Sequence, residues 1–166
     1  EIPIKKGILF APHPAFAKNE KGEYVNHALA PEVIDQLHNP MDLPQKGTRE
    51  LTAEDFVYSI KRMANPRIIA PVYGTMVNYL PGLKDFAVQV RAEDKRLRAD
   101  LKPSDRDLPF LDLRKFELKG VSAPDKHTLR LEVKGKYPQF PNWLAMTFFA
   151  PVPWEAEAFY AQKGMA

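Results

Sequence analysis

The sequence predicts an α+β fold, a small mixed sheet with a hairpin and packed helices, on three observations. Residues 51–66 carry apolar side chains at helical spacing, between a start and a stop that the sequence itself supplies. Residues 128–134 alternate apolar and polar with a period of two, as a strand with one buried face does. Sixteen prolines among 166 residues leave room only for short elements joined by constrained loops.

The chain opens with Ile2, Ile4, Ile8 and Phe10 in loose alternation, with Lys5 and Lys6 on the polar side. This predicts a half-buried strand over 2–10 with a bulge at Gly7, ended by Pro12 and Pro14, which have no amide to give a ladder. Residues 18–50 are polar and rich in turn signals, so a loop-rich insertion is expected there, the least ordered part of the chain. Within it, 31–37 reads as one short helix begun by Pro31.

The main helix follows. Thr52 can accept from the amide of Asp55 while Asp55 reaches back, an Asp variant of the capping box, and Leu51 and Phe56 are spaced as a hydrophobic staple. Phe56, Val57, Ile60, Met63 and Ala64 form one stripe, leaving Glu54, Lys61 and Arg62 to face water. Pro66 disfavours helical geometry at Asn65 and ends the run. Residues 68–79 read as an apolar loop entering a short helix, closed by Pro81 and Gly82.

Residues 83–101 read as a second helix. Between Lys84 and Asp107 seven basic residues meet six acidic ones, and Asp94 with Arg98, like Arg96 with Asp100, stands at i,i+4. Such mixing describes a solvated face. A hairpin is expected from 116–121 and 128–134, joined through 122–126. Short helices follow over 137–146 and 154–162, the second with Glu155 and Glu157 in its first turn.

Composition excludes much. There is no cysteine, hence no disulfide, thiolate nucleophile or Cys-based metal site. A net charge of +3 from 24 basic and 21 acidic residues is too small and too mixed for a nucleic-acid or membrane surface. No stretch of about 18 apolar residues stands ready to insert in a bilayer. His13, His27, His38 and His127 lack metal-ligand spacing and read as solvated loop histidines, and no cofactor is expected. Ser59, Ser104 and Ser122 stand in no nucleophile-elbow context, and there is no phosphate-binding glycine run. Catalysis is therefore not expected. Tyr73, Tyr79, Trp143, Phe148 and Phe149 would serve either as core or as the wall of a ligand cleft.

The run LTAEDFVYSIKRMANP at 51–66 resembles the most recurrent segment of the bacterial extracellular solute-binding proteins of family 5. Three further stretches resemble the family in the same order: IPIKKGILF at 2–10, GVSAPDKHTLRLEVKGKYPQFPNWLAM at 120–146 and FFAPVPWEAEAFY at 148–160. Residues 17–49 and 86–113 look like insertions relative to shorter members. The resemblance implies a piece of a longer two-lobed receptor, periplasmic or lipid-anchored outside the cytoplasm, that delivers oligopeptides, dipeptides, nickel chelates or some sugars to an ABC permease. Residues 1–166 would then be a single domain, mainly the small extra domain inserted in the first lobe, with 154–166 leading back into that lobe. Most ligand contacts would come from lobes outside this chain.

Family peptide receptors place a tyrosine just after the Ser/Ala-Pro that follows the main helix. Allowing one residue of slippage, that position is Tyr73, which the resemblance places beside the ligand. The residue four before the alanine of the Pro-Val-Pro turn also approaches the cleft in some members, and here it is Met146. Thr52 and Asp55 are expected to be structural. Two other classes stand beside the receptor reading. An exposed apolar patch around Ile68, Ile69 and Val72 would mark a protein-docking module, and a buried carboxylate or histidine with a shifted pKa in a pocket would mark an enzyme.

Overall fold

The computed structural model describes residues 1–102 and 107–165. The expectations for Ser104 and for the last residue, Ala166, lie outside the described residues. The chain divides into two compact units. The first comprises Glu1–Lys6, Thr52–Arg96 and Asp112–Val152, and the second Gly7–Leu51, Leu97–Leu111 and Pro153–Ala166.

The first unit holds a three-stranded antiparallel sheet in the order β1-β3-β2, with β1 at Ile2–Pro3, β2 at Val121–Asp125 and β3 at Thr128–Leu131. Helix α2, Ala53–Arg62, packs on β2 and β3. Around it stand α3 at Tyr73–Tyr79, α4 at Leu83–Leu97 and α5 at Phe140–Leu144. The α+β class stands, and every strand pair is antiparallel.

Helix α2 begins as its cap predicts. The Asp55 carboxylate accepts from the Thr52 amide at 2.8 Å and from its hydroxyl at 3.2 Å, and the Asp55 amide also donates to the Thr52 carbonyl at 3.1 Å. Val57, Ile60, Met63 and Ala64 are buried as the stripe requires, but so are Tyr58 and Ser59. The helix is therefore covered on a wider arc than the stripe. The hydroxyl of Ser59 donates to the Ala150 carbonyl at 2.6 Å and accepts from the Val152 amide at 2.8 Å, fixing a segment some ninety residues away. Lys61 does not simply face water. Its ammonium lies 5.9 Å from the Phe86 ring centre, and burial lowers its pKa, against the pull of Glu54, Asp112 and Glu117.

Three strand expectations change, the second hairpin strand ending at Leu131 and not at 134. The opening strand stops at Pro3, with one more bond from the Ile4 amide to the His127 carbonyl at 2.7 Å. Beyond that its partner turns away, since residues 126 and 127 form the hairpin turn, so 8–10 have nothing in that ladder to pair with. Gly7 is a turn residue at φ 77°. The first hairpin strand runs over 121–125, later than expected. Gly120 gives its amide to the Pro81 carbonyl at 3.0 Å, and a Cβ there would stand 2.7 Å from Pro81; its carbonyl still accepts the Glu132 amide at 2.9 Å, and the strand runs on from Val121. The ladder is irregular between Ser122 and Asp125, where Pro124 lacks a donor. An Asp125 carboxylate oxygen then accepts the His127 amide at 2.8 Å to close the turn.

On α4, Arg96 forks onto Glu93 with both bonds at 2.7 Å, instead of reaching Asp100. Asp94 is buried and binds the Arg67 guanidinium at 2.6 Å. That part of the helix is thus not a solvated face.

The second unit contains α1 at Pro31–Asp35, α6 at Trp154–Tyr160 and short 3-10 turns at Pro14–Phe16 and Pro40–Asp42. Its core joins Ala15, Leu43 and Phe159, flanked by Leu29, Leu37 and Met165. Gly47 passes so close to the Phe16 carbonyl that a Cβ would clash with it. Side-chain amides tie the loops together. Asn26 donates to the carbonyls of Pro14 and Gln45 at 3.0 Å each, and Gln162 donates to Asn26 and accepts from the Leu29 amide, both at 2.8 Å.

Two of the histidines are structural and partly buried, not solvated. His13 Nδ1 accepts from the Ala15 amide at 3.0 Å, Nε2 meets the Tyr160 hydroxyl at 3.1 Å, and burial with the nearby Lys46 lowers its pKa. His27 stacks on Tyr24 at 4.4 Å and meets the Ala15 carbonyl at 2.9 Å through Nε2, which therefore carries the hydrogen.

Glu155 is 2% exposed, in the first turn of α6. Its oxygens receive Arg49 Nε at 2.6 Å, Arg49 Nη2 at 2.7 Å and the Tyr24 hydroxyl at 2.9 Å. Burial alone would raise its pKa, but these donors outweigh burial and hold it below the ordinary value.

Thr52→Ala is expected to cost about 1 kcal/mol, measured by chemical denaturation, and an unchanged midpoint would place the start of α2 elsewhere. Ser59→Ala should cost more, about 1–3 kcal/mol, because it leaves the partly buried Val152 amide without its acceptor and the Ala150 carbonyl without its donor. A loss below about 0.5 kcal/mol would show that this amide is met by another group.

The Glu155 pair sets a pH dependence. The folded carboxyl is more acidic than the ordinary 4.5, so the unfolded chain takes up the proton first as pH falls. Its contribution is complete above about pH 5 and is lost as pH drops through the folded value. Glu155→Gln should be less stable at neutral pH and should lose less stability between about pH 5 and 3 than the parent, read from melts across that range.

Candidate functional site

Among the described residues of the first unit, three hollows stand out, and the C-terminal end of α2 borders two of them. There the local chain is set by three contacts. Pro66 stops the helix, and the Asn65 side-chain oxygen accepts the Arg67 amide at 2.9 Å, turning the chain back. The Arg67 guanidinium then anchors the turn to Asp94 on α4. Finally the Tyr73 amide closes on the Ala70 carbonyl at 3.1 Å and begins α3.

The result is a cleft of about 330 Å³ lined by residues 63–66, Ile68, Ala70, Tyr73 and Arg91. Arg91 stands three residues before Asp94 on α4. One wall is thus the end of a helix, the other the side of another, and Tyr73 lies half-buried between them.

A second hollow of about 160 Å³ shares Met63, Ile68 and Ala70 with the first and adds Ser59, Arg62, Val72, Thr147, Phe148 and Val152. The Ser59 clamp holds its far wall. A third, also about 160 Å³, is apolar throughout, between Ile2, Ile4, Phe56, Ile60, Leu129, Leu144 and Phe149.

Tyr73 lines the first cleft. Met146, 46% exposed, precedes the 3-10 turn Thr147–Phe149 and lines none of these three hollows, though Thr147 and Phe148 line the second. The described hollows do not bring Tyr73 and Met146 together. Thr52 and Asp55 cap the opposite end of α2, roughly 15 Å from the cleft at 1.5 Å per residue.

Of the remaining aromatic residues, Phe149 is core, Phe148 is exposed, and Tyr79 stacks on Tyr137 at 4.2 Å, whose hydroxyl receives the Trp143 indole N–H. Asn65 and Arg91 were not foreseen. The only sign of Asn65 was its place before Pro66, and Arg91 was one arginine in a densely charged helix.

Among the described residues no group of three or more His, Cys, Asp or Glu side chains could hold a metal ion. No helix among them is long and apolar enough to cross a membrane.

Residues 46–165 match the family model of the bacterial extracellular solute-binding proteins, family 5 Middle. No curated protein and no solved structure matches the chain. The match spans α2, the cleft, the hairpin and α6. With 120 of its 166 residues inside that match, the chain belongs to the bacterial extracellular solute-binding proteins of family 5.

Proposed function

We propose that the chain is part of the substrate-binding component of an ABC importer for oligopeptides or dipeptides, and that it binds without chemistry. The family match over 46–165 carries this reading, because family 5 proteins are in general binders that hand a solute to a permease. The cleft agrees with it. It offers a phenol, an amide and a guanidinium beside the apolar surface of Met63, Ile68 and Ala70, a mixture suited to holding and orienting a small polar solute.

On this reading the chain supplies the small extra domain of a two-lobed receptor, with 154–166 leading back toward a main lobe. Tyr73 borders the ligand, while Met146 presents an apolar contact. The parent protein works outside the cytoplasm, in the periplasm or on a lipid anchor. A nickel chelate, sugar or amphiphile as the solute would keep the importer role and change the branch of the family.

A docking role has one observation in its favour. Ile69 is 94% exposed at the mouth of the second hollow, beside the exposed Phe148, although Val72 is buried and takes no part in such a patch.

Native mass spectrometry of the protein purified without denaturation tests the solute. A series of short peptides released on unfolding is the expected result. A single chelate, sugar or amphiphile would overturn the peptide assignment, and a co-purifying protein with no small solute would favour docking at Ile69.

A further inference from the structure

In the second unit one titratable side chain is bonded in a way that admits a single protonation state. His13 stands just before the turn Pro14–Phe16, and its Nδ1 accepts the Ala15 amide at 3.0 Å. A backbone N–H can only donate. Nδ1 therefore carries no proton, and the ring hydrogen sits on Nε2, 3.1 Å from the Tyr160 hydroxyl on α6. A second proton would go to Nδ1 and set two donors against each other at the Ala15 amide.

The backbone behind the ring is fixed. His13 and Gly47 exchange amide-to-carbonyl bonds in both directions, at 2.9 and 3.1 Å, and Gly47 lies against the Phe16 carbonyl. The ring stands edge-on to Phe159 and Phe16, with centres 5.5 and 6.5 Å away. Ala15, which it holds, is fully buried against Leu43 and Phe159. His13 thus joins the turn to α6 through a bond from each of its nitrogens.

The surroundings favour the neutral ring. Burial, and after it the charge of Lys46, hold the His13 pKa below the ordinary 6.5, and the carboxylates of α6, Glu155 and Glu157, do not offset Lys46 at the ring. Glu155 is itself committed to Arg49 and Tyr24. The turn brings no charged group. His27 meets the same alanine with the opposite polarity, its Nε2 hydrogen going to the Ala15 carbonyl at 2.9 Å, a bond that a further proton on that ring leaves in place.

From this arrangement we infer that His13 is a pH-sensitive latch between the turn and α6: neutral, it holds the Ala15 amide and the Tyr160 hydroxyl together; protonated, it releases the turn. The open turn takes up the proton near the ordinary value and the closed turn only below it. The latch is therefore complete above about pH 7, weakens as pH falls through about 6.5, and is lost below the folded pKa. That window lies above the one in which Glu155 titrates.

The test is an NMR titration of the intact chain from about pH 8 to 5, following the imidazole carbons of His13 and the Ala15 amide. The ring should titrate below 6.5, and the Ala15 signal should follow with the same midpoint. Protection of that amide against hydrogen exchange, corrected for the intrinsic rate, should fall at least about threefold between about pH 7.5 and 5.5. His13→Asn puts a side-chain oxygen that takes no proton where Nδ1 stands, so its protection should be the same at both ends of that range. Tyr160→Phe removes the partner of Nε2 and keeps the cap, so the fall should persist.

A ring pKa at or above 6.5, or unchanged protection in the parent, would overturn the latch. So would a fall in His13→Asn equal to the parent's, which would assign the pH sensitivity to another group such as His27. Loss of the effect in Tyr160→Phe would overturn the placing of the sensitive proton at Nδ1.

Discussion

A ten-residue helix buried on more of its circumference than its apolar stripe covers is the constraint on which the first unit depends. Burying side chains such as Val57, Ile60 and Met63 contributes about 1.5–3 kcal/mol each. The same burial takes Asp55, Ser59 and Asn65 out of water, and each buried polar group left unmet would cost about 1–3 kcal/mol. Each of the three finds chain to bond. Asp55 takes the Thr52 amide, which decides where α2 begins. Ser59 takes the Val152 amide and gives to the Ala150 carbonyl, which decides what lies against its middle. Asn65 takes the Arg67 amide, which decides where the chain turns once the helix ends. The polar residues of α2 thus set the path of the backbone, and its apolar residues hold it there.

What the sequence disclosed follows the reach of each interaction. The start and stop of α2 were legible because cap and proline act within three residues of where they stand. The helices beginning near Pro31, Tyr73, Leu83, Phe140 and Trp154 were legible for the same reason. The hairpin register was not, because its first strand runs on from Gly120, which lies against Pro81, a contact across some forty residues. Nor was the length of β1, which depends on where its partner turns. Glu155 is the plainest case. Its place in the first turn of α6 suggested only a charge at a helix start, while its true partner is Arg49, 106 residues away. Pattern alone does not separate a solvated carboxylate from a buried one whose arginine arrives from a distant loop.

The candidate site divides along the same line. Tyr73, which lines the cleft, was singled out in the sequence by a motif, since the family's arrangement of helix, proline and aromatic is local. Asn65 and Arg91 were not, because what distinguishes them is where the fold leaves them, at the wall of one cleft. That property belongs to the whole neighbourhood. In the sequence Arg91 looks like Arg96, yet Arg96 is forked onto Glu93 while Arg91 faces the cleft.

That difference matters to a binding protein because a donor already bonded inside the fold can serve a ligand only by exchanging one bond for another, at little net gain. A donor left open at a cleft has only water to give up. How far it is buried then decides what it contributes. Arg91, exposed, keeps its hydration, and a cation so placed acts mainly at a distance. Asn65, nearly buried, has its side-chain oxygen fixed by the Arg67 amide, and its amide nitrogen is thereby held in one direction.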